Sequence, residues 1–187
     1  MLVLLSGVSG SGKDTIKKEL IKRVANVVSL PSFTDRSPRE GEIEGQEYHF
    51  VTTEKFKDMI ENHELYEYDI HHDHYYGTSR KIMNEKIKSG KIIVKDIDVN
   101  GVENLVKILK NDIKVITIFL KVPKEELKRR ILNRDGNITD AELNLRLSRF
   151  EYEELKSSNY DYIIENLDLE KTLNQIENII NKENVSK

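Results

Sequence analysis

The 187-residue chain has no cysteine, which excludes disulfides and thiolate metal sites and suits a reducing cytoplasm. It has no apolar run approaching the ~20 residues that a membrane span needs. It also lacks an excess of positive charge. Thirty Lys and Arg stand against 33 Asp and Glu, a formal net charge of -3, so no basic field points to nucleic acid. No repeat, low-complexity tract or linker interrupts the chain. Its first residues already read as strand and loop, leaving no room for a signal peptide. These absences leave a soluble cytoplasmic enzyme of one compact domain, long enough to bury a real core, as the expectation.

What is present is most concentrated in Met1 to Thr15, MLVLLSGVSGSGKDT. The apolar run Leu2 to Leu5 is followed by Gly7, Val8, Ser9, Gly10, Ser11, Gly12 and Lys13, and then by a helical pattern. This is the strand, loop and helix context of a phosphate-binding P-loop. The glycines let successive backbone N–H groups turn inward as a nest for anionic oxygens, at the positive end of the following helix. Lys13 adds a mobile point charge for the outer phosphates. A Gly-rich strand-to-helix turn without a phosphate would explain the glycines, but not the lysine at the end of the full spacing. The stretch predicts a nucleoside triphosphate site.

One position departs from the pattern. The Ser or Thr that usually follows the lysine, and whose hydroxyl ligates Mg²⁺, is Asp14 here, with Thr15 next. A carboxylate so near the phosphates repels them unless a metal lies between, so Asp14 is a candidate Mg²⁺ ligand. An acid in the first helical turn is also favourable in its own right. Both readings stand at this point.

Along the chain, Ile16, Leu20, Ile21 and Val24 mark a first helix to about Asn26, with Lys17, Lys18 and Lys22 on its outer side. Val27 to Leu30 reads as a short strand, and Pro31 to Gly45 as a polar stretch holding Arg36 and Arg39. Tyr48 to Val51 is expected as a strand, Thr53 as the cap of a helix through Phe56, Met59 and Ile60, and Leu65 to Ile70 as another strand. Residues 31 to about 80 thus form a β-rich insertion. Thereafter strands at Ile92–Val94, Val115–Leu120 and Tyr160–Glu165 alternate with helices. One helix is expected through Leu143, Leu147 and Phe150, and Asp135-Gly136-Asn137 as a turn. The alternation predicts an α/β fold with a mainly parallel sheet, whose ligands bind beyond the carboxyl ends of the strands. The P-loop, Asp96, Asp98 and Asn166 all fall at such ends.

The insertion offers a second site. Two guanidinia, Arg36 and Arg39, with two phenols, Tyr48 and Tyr76, suit a phosphate dianion if the insertion folds over. Glu67 and Asp98 accept hydrogen bonds, while Ser32 and Thr78 both donate and accept, a set that matches guanine better than adenine. Each residue taken singly is an ordinary surface group.

Order and spacing identify more. The chain resembles the guanylate kinases from Leu2 to about Ile180, on GVSGSGK at 7–13, TDRSPREGEIEGQEYHFV at 34–51, YYGTS at 75–79, DIDVNG at 96–101 and RILNRDG at 130–136. The resemblance implies a P-loop NTPase core (1–30, 80–122 and 151–187), a GMP-binding subdomain (31–79) and a helical lid (123–150). It implies transfer of a phosphoryl group from ATP, with Mg²⁺, to GMP and dGMP. By matching position, Arg36, Arg39, Tyr48 and Tyr76 look like the GMP phosphate clamp, and Ser32, Glu67, Thr78 and Asp98 like the guanine readers. Residues 7–15 look like the ATP phosphate loop, and Asn166 like the residue near the adenine end. Lys13, Arg39, Arg130, Arg134 and Arg146 look like the catalytic cations. Asp14 and Asp96 are the expected Mg²⁺ positions, Asp96 ending a buried strand as a Walker-B acid does.

Several positions depart from the family pattern. Asp14, Phe33 and Asp35 replace small or hydroxyl residues, Asp69 replaces a small one, and Lys95 stands where an apolar strand residue is expected. His71, His72 and His74 with Asp73 invite a metal reading, but read here as a solvated hairpin tip. Two other functions remain open. A ribose 1,5-bisphosphate kinase shares the ancestry and the GKD sequence but lacks the arginine pair. A non-catalytic guanylate-kinase-like binding module would discard the P-loop and lid arginines that this chain keeps.

Overall fold

Strands and helices alternate as the pattern requires in the computed structural model, which describes residues 1–39, 41–46, 48–71, 73–135 and 138–185, the side chains of Arg134, Asp135 and Val185 excepted. In chain order they are β1 (Leu2–Ser6), α1 (Lys13–Arg23), β2 (Val27–Ser29), β3 (Ser32–Thr34), β4 (Tyr48–Phe50), α2 (Thr53–Glu61), β5 (Leu65–His71), β6 (His74–Ser79), α3 (Arg80–Lys88), β7 (Ile92–Asp96), α4 (Val99–Leu109), β8 (Val115–Lys121), α5 (Lys124–Asp135), α6 (Asp140–Leu147), α7 (Phe150–Lys156), β9 (Tyr162–Glu165) and α8 (Leu169–Val185). One sheet has the order β2-β7-β1-β8-β9, with β2 parallel to β7 and β8 parallel to β9. The other has the order β4-β3-β6-β5. The first is the mainly parallel sheet expected from the sequence. Strand β1 is apolar without alternation, and Leu2 to Leu5 are all fully buried, as a strand covered on both faces must be.

The chain divides into two compact units, one of Met1–Leu2, Asn26–Lys95 and Asn100–Val115, the other of Val3–Ala25, Asp96–Val99 and Ile116–Lys187. The first contains the four-stranded sheet, and its register separates a core from a polar face. Phe33 pairs with Gly77, while Ser32 pairs with Tyr48, Thr34 with Tyr76, and Glu67 with Thr78. Paired residues share a face and successive residues alternate. Ser32, Thr34, Tyr48, Tyr76, Glu67 and Thr78 therefore lie on one face. Phe33 and Tyr75 take the other, where they pack with Phe56, Met59 and Leu65 under α2.

Leu65 and Glu67 would share a face in a regular strand, but the register shifts between them. This irregularity sends Leu65 to the core and Glu67 to the polar face. Gly77 is fixed by close approach, since a Cβ there would lie 2.9 Å from the Phe56 ring and 3.1 Å from the Glu67 carbonyl oxygen.

In the second unit Val8, Val99, Phe119, Val122 and Leu127 form a core against which Leu147, Phe150 and Tyr160 pack. The single helix expected through Phe150 is two, α6 and α7. Ser148 Oγ donates to the Leu145 carbonyl at 2.7 Å at the break, a bond that competes with continued helix. At its other end α6 carries a capping box of Thr139 and Glu142.

Other details differ from the sequence expectations. Helix α1 stops at Arg23, the cap of α2 is Thr52 rather than Thr53, and the polar stretch after Pro31 contains β3. Lys17 is not on the outer side of α1 but buried, its ammonium 2.5 Å from Asp96. The expected turn at Gly136 and Asn137 lies outside the described residues.

Replacing Gly77 with Ala should push Phe56 out of place and destabilise the protein by about 1–3 kcal/mol, the usual cost of overpacking. Urea unfolding followed by circular dichroism measures this, and an unchanged midpoint would mean that the close approach costs nothing.

Candidate active site

The loop between β1 and α1 owes its path to glycine. Gly7, Gly10 and Gly12 all have positive φ (145°, 85° and 93°). A Cβ on Gly7 would meet the Leu120 carbonyl oxygen at 2.5 Å, and one on Gly12 would meet Asn166 Nδ2 at 2.7 Å. Lys13 opens α1, and its ammonium donates to the carbonyls of Gly7 (2.5 Å) and Val8 (3.3 Å), so it lies along the loop. Ser11 is buried, Ser9 half-buried and Thr15 exposed.

Asn166, just beyond β9, braces this loop. Its Nδ2 donates to the Ser11 carbonyl at 2.7 Å and its backbone N–H to the Lys121 carbonyl at 2.9 Å. Arg130 on α5 donates to the Asn166 carbonyl (2.8 Å) and to Glu126 (2.8 Å). Arg146, half-buried near the end of α6, belongs to the same unit. Arg134 is on α5, but its side chain lies outside the described residues.

The acidic departure sits in a small charge cluster. Lys17 bridges Asp96 (2.5 Å) and Asp14 (3.6 Å). Loss of water and the Asp96 carboxylate raise the pKa of Asp14, against Lys17 and Lys13. Burial opposes the charge on Lys17, but Asp96 and then Asp14 outweigh it and raise its pKa.

The polar face of the four-stranded sheet brings together most of the second predicted set. The Arg36 guanidinium lies 5.2 Å from the centre of the Tyr48 ring and 5.8 Å from that of Phe50, and Tyr48 and Tyr76 meet edge to face at 5.8 Å. Arg36 donates twice to Glu42, at 2.9 Å each, and Glu42 also accepts from the Arg39 backbone N–H at 2.7 Å. Burial opposes the Arg36 charge, but Glu42 and the Tyr76 hydroxyl outweigh it and raise its pKa. Only 10 % of the Arg36 side chain is exposed, and its Nε is buried with no hydrogen-bond acceptor among the described residues. A buried N–H left in that state costs about 1–3 kcal/mol, which an incoming anionic oxygen removes. The Arg39 side chain is exposed. Thr78 donates to Glu67, both being buried. Ser32 lies on the same face and accepts from Lys95. Asp98 follows β7 in the other unit and is half-buried.

A model of the family described as Guanylate kinase matches residues 1–183. The chain belongs to the guanylate kinase family. Among its relatives, the guanylate kinase of Wolbachia pipientis is 37% identical over all of this chain and 92% of its own length. That of Clostridioides difficile is 38% identical over 98% of this chain and 88% of its own. The crystal structure of guanylate kinase from Anaplasma phagocytophilum aligns with a TM-score of 0.78 at 30% identity, covering 98% of this chain and 85% of that one. Family membership makes the protein a nucleotide-binding phosphotransferase with a P-loop α/β fold, and neither a ribose bisphosphate kinase nor a non-catalytic module is favoured.

Sequence reasoning missed three residues of the sites. Glu42 lies in a motif that names no partner for it, Lys17 reads as surface, and Lys95 only as a departure. The signal for Lys17 was its place one turn after Asp14, on the side of α1 that carries Ile16 and Leu20.

The departure at Asp35 is absorbed by the fold. Its carboxylate accepts from Thr53 Oγ1 (2.7 Å) and the Tyr75 N–H (2.8 Å), with His74 Nδ1 at 3.4 Å. Burial works against its charge, but these partners outweigh that and hold its pKa below the ordinary value of 3.8. A group depressed in this way contributes its full stability above the unfolded value and loses it as pH falls through the folded one. Asp35→Asn should therefore cost about 1 kcal/mol at pH 7, where charge-assisted bonds are lost, and progressively less below about pH 4. Urea midpoints of both proteins at pH 7 and pH 3 measure this. An equal gap at both values would sink the assignment.

Proposed function

We propose that this guanylate kinase transfers the γ-phosphoryl group of ATP to GMP, and to dGMP, by direct in-line displacement in the cytoplasm, as a step of purine nucleotide metabolism. The observation that carries this reading is the buried Nε of Arg36, which has no acceptor among the described residues, on the sheet face it shares with Tyr48, Tyr76, Glu67 and Thr78. In this reading residues 31–79 are the GMP-binding subdomain and 123–150 the lid.

The acceptor phosphate is its own nucleophile, being largely dianionic near neutral pH, so no protein base is needed. Arg36, Arg39, Tyr48 and Tyr76 hold and aim it, while Glu67, Thr78 and Asp98 read the base. The N–H groups of residues 7–13 hold the donor phosphates, and Lys13 follows the transferring oxygens with Arg130, Arg134 and Arg146. Asn166 fixes the loop from beneath. Asp14 and Asp96 suit Mg²⁺, since their hard carboxylate oxygens repel each other and a divalent cation relieves that repulsion. Mg²⁺ supplies charge neutralisation at the donor phosphates. Closure that excludes water suppresses ATP hydrolysis.

ADP release from ATP and Mg²⁺ with GMP, dGMP, AMP or ribose 1,5-bisphosphate as acceptor tests the proposal. Turnover is expected with GMP and dGMP, and Lys13→Ala should lower kcat by several hundredfold, about 3–4 kcal/mol by analogy with lost oxyanion donors. Turnover with the ribose bisphosphate alone, or with no acceptor at all, would overturn it.

A further inference from the structure

Strand β7 carries a charged side chain in a wholly buried place. Lys95 is 0% exposed, in a strand whose preceding residues Ile92, Ile93 and Val94 are also buried. A buried ammonium is costly unless it is hydrogen-bonded, so an apolar residue would be the easier choice here. Its Nζ donates to Ser32 Oγ at 2.5 Å. Ser32 begins β3 and pairs with Tyr48, so the ammonium stands one hydroxyl away from the face that holds Arg36, Tyr48 and Tyr76.

The direction of that bond determines what Ser32 does. A hydroxyl has one hydrogen and two lone pairs. With one lone pair taken by an ammonium, its O–H is polarised and becomes a stronger donor, through the cooperativity of linked hydrogen bonds. Thr78 is set the other way. Its hydrogen goes to Glu67, which leaves its lone pairs to accept. Guanine N1–H and the exocyclic amine need acceptors, whereas guanine O6 and a phosphate monoester dianion need donors, and the charged oxygens of the dianion are the stronger acceptors. Glu67 and Thr78 thus form the acceptor end of the face and Ser32 its donor end.

We propose that Lys95 is a positioning residue for the acceptor phosphate, holding the Ser32 hydroxyl as a polarised donor to a phosphate oxygen rather than to the base. This moves Ser32 from the guanine readers to the phosphate clamp and gives the departure at residue 95 a role. It rests on the reading that the four-stranded sheet binds GMP.

The test compares GMP with guanosine, which has the base and no phosphate. Binding of each by calorimetry is measured for the wild type, Lys95→Met, Ser32→Ala and the double variant, with thermal unfolding as the check on folding. Wild-type turnover of GMP is measured first. Lys95→Met should weaken GMP about tenfold, the scale of a charge-assisted hydrogen bond, and leave guanosine within twofold. Ser32→Ala should do the same, and the double variant should be no worse than the weaker single one, because the two act in series. If Lys95→Met does not fold, Ser32→Ala carries the same discrimination.

GMP and guanosine weakened alike, GMP unaffected, or losses that multiply in the double variant would each overturn the role of Lys95 and leave the kinase reading standing. A wild type that turns over no GMP would overturn both.

Discussion

Asn166 occupies the space that a Cβ on Gly12 would fill, and the path of the loop between β1 and α1 depends on that contact. Its amide bonds the Ser11 carbonyl, its backbone N–H the end of β8, and its carbonyl receives Arg130 from α5. One residue thus links the loop, the sheet and the helix of the proposed lid. A phosphate nest works only if its N–H groups already point inward, because reorganising them during the reaction would forfeit much of the electrostatic gain. Glycine permits that path, and the Asn166 latch selects it from the many others that glycine also permits.

Charge around the loop is balanced locally. Asp14 brings a carboxylate to the proposed phosphate loop, close to Asp96, and Lys17 sits between the two. The buried ammonium therefore neutralises the acids from the helix side. In the other unit Glu42 does the converse for Arg36, holding the guanidinium in a fork of two bonds. Nε stays outside that fork. Side chains locked in advance lose less entropy when the ligand arrives, which favours the aligned state that phosphoryl transfer needs.

The P-loop and the alternation of strands and helices were legible in the sequence because both are local patterns: glycine spacing, apolar runs and periods. The strand β3 was not, since three residues among Asp, Ser, Pro and Gly carry no period long enough to read. Its place in the sheet comes from pairing with β4 and β6, which are distant in sequence. The division of α6 from α7 was hidden for a related reason. Leu143, Leu147 and Phe150 keep helical spacing across the break, and only a hydroxyl bond from Ser148 to the turn before it marks the end. Lys17 was misread because lysine is almost never fully buried unless paired, and its partner Asp96 is 79 positions away.

The charged departures from the family pattern show how far a residue's type determines its effect. Asp35 stands beside the arginine of the proposed phosphate clamp, where a carboxylate would be expected to repel the substrate. Alternation instead turns it to the face opposite Thr34, where Thr53, Tyr75 and His74 receive it and it braces the hairpin. Lys95 stands in an apolar strand, where a cation would be expected to weaken the core, yet it reaches Ser32 on the polar face of the four-stranded sheet. At Asp35 the face set by β3 decides the consequence. A one-residue change of register there would send the carboxylate toward the proposed phosphate site and the core phenylalanine, Phe33, to solvent. The irregularity in β5 therefore matters beyond the position of Glu67, because it lets a single sheet keep its apolar register on one side and its substrate register on the other.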